Sequence, residues 1–220
     1  MTSVILETKR LILRPFEESD APAFGVAMRD SNITETTMFG PPARTSEEGT
    51  AQALERIADF SAHWRKHGFG IFGAFDKATD ALVGYCGLRH LEEFDGDVHI
   101  STMVDRPYWS GGLAWEIFRR NLEYAFVERD FDVVHGTART FQTASMHVME
   151  KCGFLRQSDR TLRDWPVCYY KCSREAFLAQ HVIYLMKRLG DVDQDPSAQL
   201  LSGTPPPTEE AGADKVSLGR

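Results

Sequence analysis

No stretch of the 220 residues approaches the roughly 18 consecutive apolar residues that a membrane-spanning helix needs. No membrane association is therefore expected. The opening segment, Met1 to Arg10, carries Glu7 and has no apolar block of the signal-peptide kind, so a cytoplasmic location is the expectation. Basic charge is also in deficit: 25 Lys and Arg stand against 32 Asp and Glu, a net charge of −7. A general nucleic-acid surface needs the opposite balance, and no nucleic-acid partner is expected. Cysteine is scarce, with four residues and no C-x-x-C pair. Cys86, Cys152, Cys168 and Cys172 are read as free buried thiols, the last two on one face of a strand. Histidine offers one ligand-like spacing, His63 and His67. That segment lacks the glutamate of H-E-x-x-H and inserts Arg65 and Lys66, so it reads as a solvated helix end, and no metal is expected. No internal repeat is visible.

The composition that remains, 42% apolar and 26% charged, suits one globular domain with a real core. Alternation over Glu7 to Phe16 predicts a strand, and Ser19-Asp20 caps a helix to about Met28. Asn32 to Thr45 reads as irregular, with Gly40, Pro41 and Pro42 as breakers. A long helix follows from Ser46 to His67, stopped by Gly68. Phe69–Phe75 and Leu82–Leu91 predict a hairpin, and Val98–Val104 a third strand. Helices are expected over Gly111–Glu128 and Thr143–Lys151, and strands over Phe131–Ala138, Phe154–Leu162 and Val167–Cys172. A last helix is expected over Ser173–Leu189. The order predicts a mixed α/β domain with a partly parallel central sheet, its parallel pairs joined by helical crossovers. The folded domain is expected over 1–189. Residues 190–220, with Pro205 to Pro207, Glu209-Glu210 and little to bury, read as a disordered tail.

Two stretches carry chemistry. Tyr108-Trp109-Ser110-Gly111-Gly112-Leu113-Ala114-Trp115-Glu116 leads from a strand through a glycine pair into a helix. Backbone N–H groups at such a helix start can hold a phosphate. Ser145-Met146-His147-Val148-Met149-Glu150-Lys151-Cys152-Gly153-Phe154 reads as a short helix ended by a left-handed glycine before a strand.

With "TKRLILRPFEESDAPAF" and "HGFGIFGAFDKATDALVGYCGL", these stretches resemble the GNAT superfamily of N-acetyltransferases, and within it the ribosomal-protein-alanine acetyltransferase branch. The resemblance runs from Glu7 to about Phe177. It implies a sheet with splayed parallel strands flanked by helices, with acetyl-CoA as cosubstrate and an amine as acceptor, in a monomer or homodimer. Relatives usually carry a cation where this chain has Gly111 and a glycine where it has Ser110. They have Asn where Gln142 stands and a glutamate where His99 stands, and distant relatives a tyrosine where Met149 stands. Arg106, Arg119 or Arg120 are candidates to replace the missing loop cation.

The resemblance implies a diphosphate on the N–H groups of Gly111, Gly112, Leu113 and Ala114, next to Ser110. It also implies that backbone groups of Met103 and Val104 hold the pantetheine arm and polarise the acetyl carbonyl. Gln142 lies at the start of the second cosubstrate-side helix. His99 is the candidate base, against a plain strand histidine; Asp164 is a second, against a loop residue before Trp165-Pro166. Ser145 is the candidate proton donor to the departing thiolate, against a helix cap. Tyr169 or Tyr170 is an alternative acid. Phe39, Trp64, Phe69, Phe72 and Trp165 are candidate walls of an acceptor pocket, against ordinary core packing. The expected function is N-acetyl transfer from acetyl-CoA to a primary amine. The alternative is a non-catalytic acyl-CoA-binding or scaffold protein on the same fold.

Overall fold

The opening alternation makes two strands instead of one. The Thr8 hydroxyl accepts from the Leu11 N–H at 2.9 Å and turns the chain, so β1 (Leu6–Glu7) folds back on β2 (Leu11–Pro15). The computed structural model describes residues 4–37 and 39–182. After β2 come three helices, α1 (Ala21–Ala27), α2 (Ser31–Thr37) and α3 (Ser46–His67). The strands β3 (Ile71–Asp76), β4 (Leu82–Leu91) and β5 (Asp97–Val104) follow. Next are α4 (Leu113–Glu123), β6 (Val133–Arg139) and α5 (Thr143–Lys151). The chain closes with β7 (Leu155–Arg156), β8 (Arg160–Leu162), β9 (Trp165–Ser173) and helical turns over 174–182. The described chain to Gln180 forms one compact unit. The contacts assign His181–Arg220 to a second, which beyond Val182 lies outside the described residues, as does the tail expected over 190–220.

The strands lie in the order β1-β2-β3-β4-β5-β6-β9-β7, with β8 also on β9. Every pairing is antiparallel except β5 with β6, which is parallel. That parallel pair meets at one position, His99 opposite His135. Beyond it, toward Val104 and Arg139, the two strands share no ladder. The α4 crossover supplies the long connection that a parallel pair demands.

Two apolar layers cover the sheet. On one face α4, α5 and Phe177 pack Ile117, Leu122, Met149 and Phe154 over Leu13, Cys86, Leu88 and Ile100. On the other α1 and α3 pack Phe24, Met28, Ile57 and Phe60 against Ile71, Tyr85 and Met103. Each such side chain contributes about 1.5–3 kcal/mol on burial. All four cysteines are buried and unpaired, and burial pushes the Cys86, Cys152 and Cys172 thiols up to about 12, which makes them inert packing groups.

Three further local departures from the sequence reading have physical causes. Residues 31–37 are helical although the sequence reads as irregular there. Asp30 accepts from the Asn32 N–H at 2.8 Å, and Ile33 anchors the turn in the α1–α3 layer. The expected helix to Glu128 stops being α at Glu123 and widens into a π turn over Tyr124–Glu128. Tyr124, Ala125 and Phe126 are consecutive and all buried, which a period of 3.6 cannot put on one face. The strand expected over 154–162 splits. An unslipped ladder would put Arg160 opposite Pro166, but it lies opposite Val167, a one-residue bulge relative to Arg156–Tyr170.

Candidate active site

The opening between β5 and β6 leads straight into the loop before α4. Ser110 and Gly112 both take left-handed conformations (φ 64° and 73°), and Gly112 is the residue immediately before the helix. This turns the first N–H groups of α4 outward, where a helix start leaves them without intrahelical partners. Gly111 and Gly112 add no side chain in front of them.

A cation does stand at this loop, and it is neither Arg106, Arg119 nor Arg120. Arg106 faces Asp30 at 3.9 Å, Arg119 is buried beside Glu123 and Arg120 pairs with Glu128 at 2.8 Å. Arg10, from the β1–β2 turn, donates through Nη1 to the Gly111 carbonyl at 2.9 Å and through Nε to Glu116 at 2.8 Å. Its Nη2 stands 3.9 Å from where a Cβ on Gly112 would lie. The sequence separation of about a hundred residues hid this residue. The unusual Gly111 was the only hint that a cation from elsewhere was needed. Glu116 is held as a carboxylate by Thr8 and Arg10, and it ties the β1–β2 turn to the first turn of α4.

Within the opening, the Asp105 N–H bonds the Val83 carbonyl on β4. Antiparallel alternation then turns the peptide groups of Met103 toward β4 and those of Val104 toward the opening. Of the two expected backbone contacts, Val104 is the one so directed. Its carbonyl accepts from the Trp109 indole at 2.7 Å, which leaves its N–H as the donor to the opening.

Ser145 is the third residue of α5 and is exposed. It is not the helix cap. Gln142 holds that position, and its side-chain oxygen accepts from the Arg139 N–H at 2.7 Å, fixing the turn out of β6. Met149, one turn further on, is buried against Gly136.

His99 lies at the foot of the opening but is 1% exposed. It stacks on Phe94 with ring centres 5.0 Å apart, and among the described residues neither ring nitrogen has a hydrogen-bond partner. Burial, then His135, pulls its pKa down to about 3. Asp97 and His135 converge on it, their ligand atoms within 4.8 Å of one another, and Tyr169 donates to Asp97 at 3.0 Å. Arg160 lies over the Tyr169 ring at 4.0 Å, so a cation already borders this cluster. Asp164 is exposed on the β8–β9 turn with φ 66°, and among the described residues no contact links it to His99. Tyr170 points to the other face and donates to Glu150 at 3.0 Å.

His63 is not a solvated helix end. Its Nδ1 donates to the Phe69 carbonyl at 2.9 Å, and its Nε2 accepts from the His90 N–H at 3.1 Å. Both nitrogens are committed, and burial lowers the pKa to about 4.

Among the aromatic residues read as pocket walls, Trp64, Phe69 and Phe72 belong to the layer under α4. Trp165 is half-exposed beneath Arg139, with the guanidinium 4.0 Å from the ring centre. Phe39 does line a pocket. It has a volume of about 110 Å³ and lies on the α1–α3 side of the sheet, with Arg56, Tyr85, Arg89 and Ser101. Ser101 shares its face of β5 with His99 and Met103. Among the described residues no helix is long and apolar enough to cross a membrane.

The solved structures that resemble this chain carry the same architecture. A GNAT-family acetyltransferase from Bacillus anthracis superposes with a TM-score of 0.63 at 22% identity, covering 78% of this chain and 99% of that one. A Vibrio cholerae structure, assigned short of proof as a ribosomal-protein-serine acetyltransferase, gives 0.64 at 16% identity over 77% and 97%. In sequence, the uncharacterised N-acetyltransferase p20 of Bacillus licheniformis is 24% identical over 183 residues, 83% of this chain and 96% of that protein. The family model described as Acetyltransferase (GNAT) domain matches residues 10–155, from the arginine at the α4 loop through α5 to β7. The chain belongs to the GNAT family of acetyltransferases.

Proposed function

We propose that the protein transfers an acetyl group from acetyl-CoA to a primary amine by direct attack in a ternary complex. The observation that carries this reading is the open start of α4 standing at the mouth of two strands joined at a single position. The N–H groups of Gly111, Gly112, Leu113 and Ala114, beside Ser110 and braced by Arg10, suit a diphosphate. The Val104 N–H suits the pantetheine arm and acetyl carbonyl, with Met103 behind it as packing.

In the transfer, the amine nitrogen bonds to the acetyl carbon and the carbon–sulfur bond breaks. The departing thiolate takes a proton for which Ser145 is the candidate donor, and the amine loses one. His99 is the candidate acceptor of that amine proton, but a weak one. An imidazole held near pKa 3 is neutral at pH 7 and has little drive to take a proton from an ammonium of pKa about 10.4. Asp164, solvated on its turn, is the second candidate.

The test is titration with acetyl-CoA by calorimetry, followed by thiol release across a panel of amines. Binding with turnover supports the reading; no binding at millimolar acetyl-CoA ends it. Ser145→Ala should lower kcat by about 100-fold with little change in acetyl-CoA affinity. The buried, unpartnered His99 favours a second reading, acyl-CoA binding without catalysis. Under that reading Ser145→Ala changes nothing measurable, and no amine in the panel is consumed. Cytoplasmic residence and a monomeric or dimeric state belong to the same proposal, and size-exclusion chromatography with light scattering measures the latter.

A further inference from the structure

The pocket on the α1–α3 face has a charge opposite to that of the whole chain. The protein carries a net −7, yet this pocket presents Arg56, Arg89 and Arg163 against one carboxylate, Asp59. Two of the three arginines are already occupied. Arg56 donates to the Phe39 carbonyl at 3.1 Å and lies 3.8 Å from Asp59. Arg163 sits at the rim with its Nε 3.4 Å from Glu93. Arg89 differs: its Nε is buried and makes no hydrogen bond, and among the described residues no carboxylate lies within 4 Å of its guanidinium. Burial, with Arg163 alongside, disfavours its charge by more than Tyr85, Glu93 and Asp59 support it.

A buried, unsatisfied guanidinium donor is costly unless something completes it. The group that fits is a planar or tetrahedral anion, accepting from the part of the Arg89 guanidinium that faces the pocket. The same field works against a bare polyamine, because every ammonium brought in meets a net positive wall. It also favours the neutral form of an amine held nearby, which is the reactive form.

Resting on the reading of this protein as an amine acetyltransferase, we infer that its acceptor is a small amine that also carries a carboxylate or phosphate, bound through Arg89. Arg56 and Arg163 shape the field, and Ser101 on β5 and Tyr85 on β4 line the same pocket.

The experiment compares matched acceptors at saturating acetyl-CoA: L-phenylalanine with L-phenylalaninamide, and phosphoethanolamine with ethanolamine, with spermidine as the polycation. The expected result is a kcat/KM at least tenfold higher for the anionic member of a pair, expressed mainly in KM. The first pair reports a carboxylate source and the second a phosphate source. Arg89→Gln should remove the preference while leaving acetyl-CoA affinity within about twofold. Arg163→Gln, at the exposed rim, should reduce it in part and guards against misfolding of the Arg89 variant. Equal or better use of the amide, of ethanolamine or of spermidine overturns the inference, as does an undiminished preference in folded Arg89→Gln.

Direct calorimetric titration of each pair, without acetyl-CoA, separates this inference from the catalytic reading. If no amine is acetylated but phenylalanine or phosphoethanolamine binds and its uncharged partner does not, the catalytic reading fails and the pocket assignment stands. If neither binds and turnover occurs on uncharged amines, the pocket assignment fails and the catalytic reading stands.

Discussion

Ser110 and Gly112 share a left-handed backbone, but only one of them is glycine. An L-residue pays roughly 1 kcal/mol for that conformation, so Ser110→Gly should stabilise the protein by about 0.5–1 kcal/mol in urea unfolding and leave acetyl-CoA affinity intact. A loss of affinity would mean that the serine side chain itself touches the cosubstrate. Arg10 acts on the same loop from the opposite end of the sequence. Arg10→Ala removes two charge-assisted hydrogen bonds that are partly open to solvent, and a three- to tenfold weaker acetyl-CoA Kd is the expected outcome by calorimetry. Glu116→Gln should weaken binding in the same direction through the same bracket. Neither effect was readable from the residues around Gly111. They give the loop's backbone but not which distant side chain leans on it.

At the scale of elements, the strongly periodic pieces were legible and the short or polar ones were not. α3 occupies its expected bounds because its signals agree. The Thr45 hydroxyl accepts from the Glu48 N–H at 3.1 Å, acids fill the first turn and bases the last, and Gly68 closes it with φ 70°. α2 offered only one buried aliphatic residue, Ile33, and its helix depends on Asp30 and on packing that the sequence does not display. The β7–β8 bulge likewise depends on a partner strand far along the chain. Close approach between elements makes one position decisive. A Cβ on Gly87 would lie 2.2 Å from the Gly70 carbonyl oxygen and 2.5 Å from the Ile71 Cα. Gly87→Ala should therefore force β3 and β4 apart and cost several kcal/mol, read as a large drop in Tm with loss of the folded fraction.

For the whole molecule, buried neutral histidines set the response to acid. His63 and His99 have pKa values lowered by burial to about 4 and about 3, whereas the unfolded chain titrates near 6.5. Above pH 6.5 both are neutral in both states and their contribution is fully present. As pH falls below 6.5 the unfolded chain takes up protons that the folded protein refuses, and stability declines by roughly 1.4 kcal/mol per pH unit for each histidine at most. His99, which is almost fully buried, carries the larger share. Urea unfolding at pH 7, 5.5 and 4.5 should show this decline, and His99→Phe, which keeps the stack on Phe94 but cannot titrate, should leave only the smaller slope from His63.

Local pattern alone determined the mixed α/β class, the hairpin, the long helix, the glycine loop before α4 and the four buried free thiols. Periodicity, capping and turn chemistry act between near neighbours, so they are written in the order of residues. Tertiary structure alone decided that β5 and β6 meet at one position, that Arg10 braces the loop, that His99 is sealed under Phe94, and that an acidic chain gathers three arginines around one pocket. These depend on distance and burial among residues tens to a hundred positions apart, and such free energies are set only when the sheet and its helices close on one another.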